Sequence, residues 1–300
     1  MRVTDTILKN NFLTNLNFAS QRLFEKETRV LTGKRVNKPS DNPVDALNAL
    51  SIKQRLDEIE QYRRNISRTK AFLQNTETII TQASDVFARV KALTVQGASD
   101  SYGPNDKLSI SHEVDQLLEQ ILIGANSRTE SVYTFAGTYN NVAPYSAVRD
   151  ADGYITHVTS AGSTGDINRV LGESVTMKVN VNGQELYEDG QNLFDVMIDI
   201  RDDLKSNSTD ALRLDLIKID NATEKIYNIQ AVLGSKVNRV EAADARAEGD
   251  TINFSEFLSN AVDIDAAEAI MDYQMELLTL QSSLQAGSRL LRPRLGDFLT

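Results

Sequence analysis

Apolar side chains recur every seven residues over two long stretches of this chain. Ile66, Leu73, Ile80 and Phe87 form one column, and Phe72, Ile79, Val86 and Leu93 form its neighbour. In the distant half Ile219, Ile226, Leu233 and Val240 keep the same spacing, as do Ile270, Leu277, Leu284 and Leu291. A seven-residue repeat gives a helix one continuous stripe that another helix must cover. Leu8, Phe12, Leu16, Ala19 and Leu23 step by four, four, three and four, which gives a first helix one apolar face, interrupted by Asn and Thr.

Local signals mark where these helices stop. From Val44 to Gln96 there is no Gly or Pro. Asn42 is placed to cap that helix, Pro43 to be its first residue, and Asp45 to sit in its first turn. Asp265, with Glu268 three residues on, reads as a variant capping box for the last helix. Gly33, Pro39, Ser40 and Asp41 form a joint over 31–43, with Ser40 and Asp41 supplying turn and capping chemistry. A helix over 44–96 would be about 80 Å long, against a diameter of roughly 50 Å for a compact globule of this size. The expected class is therefore mainly α, an elongated rod whose two ends run back along each other.

The middle differs. Seven of the 15 glycines lie between Gly137 and Gly190. Val175, Met177, Val179 and Val181 alternate with polar residues before Asn182-Gly183 and Gln184-Glu185-Leu186-Tyr187, a hairpin signal. Residues 154–158, after Asp152-Gly153, read as another strand. The expected organisation is an inner terminal layer over 1–30 and 266–300, joints over 31–43 and 251–265, an outer helical rod over 44–137 and 193–250, and a small β-rich domain over 138–192. Ile66, Leu73, Ile80, Phe87, Ile219, Ile226, Leu233 and Val240 are the expected rod core. The terminal helices have few partners in their own chain beyond each other, and a two-helix pair is marginal in water. Leu8, Phe12, Leu16, Leu23, Ile270, Leu277, Leu284 and Leu291 are therefore expected to pack against other subunits.

Charge and chemistry narrow the function. The net charge of -10 is uneven. Residues 1–70 carry 14 Lys and Arg against 8 Asp and Glu, a net of +6, whereas the other 230 carry 18 against 34, a net of -16. An acidic chain is a poor match to nucleic acid, although opposite ends could attract neighbouring copies. Cysteine is absent and the two histidines, His112 and His157, are 45 positions apart, so no metal site is expected. No phosphate loop, HExxH or GxSxG motif is present, and no catalytic residue or cofactor is expected. The first residues lack a secretory signal and no apolar run is long enough to span a bilayer, which read alone points to the cytoplasm.

Three segments then carry a resemblance. Residues 31–43, Leu-Thr-Gly-Lys-Arg-Val-Asn-Lys-Pro-Ser-Asp-Asn-Pro, resemble the joint of flagellin-like proteins. The stretch from Asn75 through Gln96 is similar to their long helix, and residues 262–269 resemble the approach to their last helix. The likeness covers about 1–140 and 195–300. Where flagellins usually carry Lys-Asp-Asp-Ala-Ala, this chain has Lys38-Pro39-Ser40-Asp41-Asn42-Pro43, the form of the junction branch of that family. The carboxyl end, with Arg289, Arg292 and Arg294, also departs from the Asn- and Gln-rich flagellin ending. The resemblance implies a structural subunit of the bacterial flagellum, exported through the flagellar type III apparatus without a cleaved signal. It implies copies of itself, hook-associated protein 1 and flagellin as partners, and an export chaperone on the C-terminal helix. A filament flagellin proper and a cytosolic coiled-coil scaffold remain alternative readings.

Overall fold

The computed structural model describes residues 2–129, 131–139 and 141–290. The fold is mainly α. Helix α1 spans Arg2–Thr32, α2 Pro43–Gly97, α3 Pro104–Ala125, α4 Leu193–Lys205, α5 Thr209–Val262 and α6 Ala266–Leu290. Between α3 and α4 lie six short strands, β1 Arg128–Thr129, β2 Val132–Tyr133, β3 Tyr145–Arg149, β4 Ile155–Ser160, β5 Asn168–Gly172 and β6 Val175–Lys178. They pair as three antiparallel two-stranded hairpins, β1–β2, β3–β4 and β5–β6. The chain divides into two compact units, Ile59–Gly249 and a unit made of Met1–Glu58 with Asp250–Thr300.

In the larger unit the seven-residue columns are the core. Ile66, Leu73, Ile80, Phe87, Ile219, Ile226, Leu233 and Val240 are each at most 1% exposed. The α5 column extends further, from Leu212 to Ala247, in steps of seven. Lys91 of α2 pairs with Asp220 of α5, and Lys70 with Glu241 at 3.5 Å. Moving back 21 residues along α2 moves 21 forward along α5, so the helices run antiparallel. A sustained seven-residue repeat wraps such helices around each other. Thr69, Thr76 and Thr94, buried beside the columns, return their hydroxyl protons to carbonyls one turn back. Gly97 ends α2 where a Cβ would lie 2.3 Å from a Leu204 methyl. α3 restarts at Pro104, with the Asp106 carboxylate accepting from the Gly103 N–H at 3.0 Å.

The β region corrects two expectations. Its strands begin at Arg128, upstream of 138, and the stretch before Asn182-Gly183 does not turn into a following strand. β6 pairs backwards with β5, and Gln184–Glu188 form one π-helical turn. Gly183 has an ordinary φ of -58°, and it is needed because a Cβ there would lie 2.6 Å from the Tyr145 hydroxyl. Asn180 and Asn182 face inward instead of outward: Asn180 accepts from Ile167 N–H and donates to Gly165 O, while Asn182 donates to Thr164 O. Asp152-Gly153 does turn a hairpin, with Gly153 at φ +90° before β4.

An aromatic knot joins this region to the helices. The Tyr187 ring lies 5.2–5.5 Å from Phe135, Tyr145 and Phe194, all four rings buried. Beside it Arg201 of α4 is 2% exposed and donates to Asp115 of α3 at 3.2 Å, Ile155 O of β4 at 2.6 Å and Asp202 at 2.8 Å.

Candidate assembly site

The joint is built from hydrogen bonds that the 31–43 sequence supplies. Gly33 leaves α1 at φ +68°, a conformation that costs glycine nothing, and its N–H returns to Arg29 O at 2.9 Å. Asp41 N–H bonds Lys38 O at 3.0 Å, closing a turn with Pro39 and an exposed Ser40 at its centre. The Asp41 carboxylate accepts from Lys38 and Asn37 N–H, both at 3.0 Å, and these donors hold it below the usual carboxylate range. Asn42, rather than Ser40 or Asp41, caps α2, its Oδ1 accepting from Val44 and Asp45 N–H at 3.1 and 3.2 Å. Pro43 opens the helix.

The returning chain is stitched to this joint. Lys34 and Asp263 form an antiparallel bridge, Ile264 N–H bonds Gly33 O, and Arg35 N–H bonds Val262 O at 2.6 Å. The Arg35 guanidinium donates to Asp45 at 2.9 Å and to Ala261 O at 3.0 Å. One side chain thus ties the start of α2 to the end of α5. Asp265 caps α6, with Oδ1 accepting from Ala267 at 2.9 Å and from Glu268 N–H at 3.3 Å. The Glu268 carboxylate sits in the first turn, where the helix dipole favours it. Because α5 runs to Val262 without a Gly or Pro after Gly249, the joint expected over 251–265 contracts to Asp263–Asp265. Among the described residues no group of His, Cys, Asp and Glu could hold a metal ion. No described helix is long and apolar enough to cross a membrane.

The terminal helices use their apolar faces differently. Arg22 pairs with Glu276 at 2.9 Å and Lys26 with Asp272, and the Phe12 ring covers Gly287, where a Cβ would lie 2.0 Å from it. These contacts fix an antiparallel α1–α6 pair. Phe12, Leu16 and Leu23 are half-buried and Ala19 is buried, so in this chain that stripe is not left wholly for other subunits. The α6 column is more open: Ile270 is 45% and Leu284 48% exposed, with Leu277 half-buried. A separate row on α6, Met271, Met275 and Leu278, is at least 60% exposed. The Leu8 side chain and Leu291 lie outside the described residues.

Sequence reasoning missed two features of this frame. The Arg35 clasp bonds a backbone carbonyl 226 positions away, which no local pattern reports. Arg201 did leave a signal, since it falls between Met197 and Leu204 on the apolar face of α4.

Residues 3–140 match the bacterial flagellin N-terminal helical region. Nearly half of the chain thus resembles a flagellin amino-terminal region. It is 25% identical over 283 residues to flagellar hook-associated protein 3 of Escherichia coli K12, covering 85% of this chain and 86% of that one. It is 23% identical over 257 residues to the flagellar filament 30.7 kDa core protein of Treponema maltophilum, covering 85% and 84%. Among solved structures, the flagellar junction protein FlgL from Legionella pneumophila shares the fold, with a TM-score of 0.60 at 16% identity over 72% of this chain and 100% of that one. The chain is thus matched along most of its length by flagellar proteins.

Proposed function

We propose that this chain is the structural adaptor that joins the flagellar hook to the flagellin filament. The observation that carries the reading is the alignment with hook-associated protein 3 over 85% of this chain and 86% of that protein. The Pro39-Ser40-Asp41-Asn42-Pro43 joint supports it. The chain works without catalysis. Copies of it form a layer between hook-associated protein 1 and flagellin, and the α6 column of Ile270, Leu277 and Leu284, with α1, packs in that layer. Because α6 carries a second exposed apolar row, Met271, Met275 and Leu278, it needs cover before assembly. A chaperone on this helix would provide it, and export would run through the flagellar type III apparatus to the extracellular fibre.

Clean deletion tests the proposal. The expected phenotype is finished hooks without filaments and flagellin lost to the medium; normal filaments would refute it. The likeness to a filament core protein favours one second reading, a subunit of the filament itself. Immunolabelling of intact flagella separates the two: a thin band at the filament base supports the adaptor, and labelling along the whole fibre supports the filament subunit.

A further inference from the structure

Asp215 occupies an unusual place. It is 1% exposed on α5, between Leu212 and Ile219 of the buried seven-residue column, both 0% exposed. An ionised carboxylate is costly there unless its oxygens are satisfied. One is: Oδ1 accepts from Lys218 Nζ at 2.8 Å. Oδ2 has no hydrogen-bond partner among the described residues. Lys218 is shared, since it also bonds Asp199 of α4 at 2.7 Å. Asp203, one turn beyond Asp199, is half-buried and faces Asp215. The Lys218 ammonium thus bridges Asp199 of α4 and Asp215 of α5, and Asp203 of α4 meets the same Asp215 without an ammonium of its own in contact among the described residues. The neighbouring charges are engaged elsewhere: Asp202 accepts from Arg201, and Arg213 donates to Asp210 at 3.2 Å.

We propose that Asp203 and Asp215 form a proton-operated latch between α4 and α5, closed when the two carboxyls share one proton and loosened when both are ionised. In the closed state the protonated Asp203 donates to the open Oδ2 of Asp215, which satisfies the buried lone pair and removes one of two uncompensated negative charges. In the open state Lys218 neutralises only one of three carboxylates. Burial, the hydrogen bond to Asp215 and the charges of Asp215 and Asp199 push the Asp203 carboxyl up to about 6. Burial pulls Lys218 down, but its bonds to Asp199 and Asp215 outweigh this and keep it charged. The folded-state value of Asp203 lies above its ordinary 3.8, so the proton adds stability. That gain is complete below about pH 4 and is lost as pH rises through about 6. α4 also presents Phe194 and Arg201 to the β region, so the latch sets how firmly that region is held. This inference is independent of the adaptor reading.

The test uses the full chain. Carboxyl-carbon NMR should show Asp203 titrating near pH 6. Between pH 5 and pH 7.5, melting of the wild type should fall relative to Asp203→Asn by about 2–4 °C, the shift that a modest local effect produces in a unit of this size. The asparagine carries a permanent donor and lacks the proton-dependent part. Asp210→Asn, at an exposed carboxylate, should keep the wild-type slope. Lys218→Met, which removes the ammonium, should move the Asp203 midpoint upward. An Asp203 midpoint below pH 4.5, a wild-type pH slope in Asp203→Asn, or an unmoved midpoint in Lys218→Met would overturn the latch.

Discussion

Leu284→Asp separates the folding of this chain from its assembly. Leu284 is 48% exposed in the single chain, so about half of its burial is already realised. Full burial of a leucine is worth ~1.5–3 kcal/mol, and the loss in the free chain should be about 1 kcal/mol. If assembly covers the other half, the same carboxylate is trapped without a partner at a cost of several kcal/mol. At 1.4 kcal/mol per factor of ten, a penalty of ~4 kcal/mol lowers incorporation by roughly three orders of magnitude. The assays are thermal melting of the purified chain and fluorescence labelling of hook tips in a strain carrying only the variant. The control is Gln285→Asp, at an exposed neighbouring position. Ser283 would be a poor control, because it is half-buried and its hydroxyl bonds Thr279 O at 2.8 Å. The expected split is near-normal melting with assembly lost. Unfolding of the free chain would place Leu284 inside the monomer, and normal assembly would show that the α6 column is no interface.

Asp115→Ala should destabilise the larger unit by about 1–3 kcal/mol, because buried Arg201 loses one of its two carboxylate partners and keeps Asp202 and Ile155 O. The double change Asp115→Leu with Arg201→Met should be near neutral in denaturant titration, and equal losses in both variants would refute the argument. Tyr187→Phe should alter stability by no more than about 1 kcal/mol, since the buried hydroxyl has no partner among the described residues. Tyr187→Ala should cost about 3–5 kcal/mol through loss of the aromatic knot. Hydrogen exchange on the free chain should be much faster in α1 and α6 than in the 66–90 and 212–240 columns, because the described terminal helices bury little beyond Ala19 and Gly287; equal protection would contradict this. Arg35→Ala should raise exchange at Val262 and Ile264 while leaving the larger unit unchanged, and unaltered exchange there would show that the backbone bridge suffices without the clasp.

By itself the sequence determined the helices and their core. A seven-residue column states both that a helix forms and which face it hides, so Ile66 through Phe87 and Ile219 through Val240 could be assigned to the interior from spacing alone. The caps were legible for the same reason: Asn42 with Pro43, and Asp265, act on backbone groups two or three residues away. Tertiary structure decided everything that depends on distant partners. Asn182-Gly183 carries the local chemistry of a hairpin turn, but the approach of Tyr145 and the burial of Leu186 and Tyr187 override it. Arg201 and Asp215 fall at apolar-face positions of α4 and α5, but which groups satisfy their charges there is set by the packing of α4 against α3, β4 and α5. The stripe of Phe12, Leu16 and Leu23 announced an apolar face without naming its cover. Hydrophobic burial is non-directional, and the ion pairs from Arg22 to Glu276 and Lys26 to Asp272 seat that face against α6.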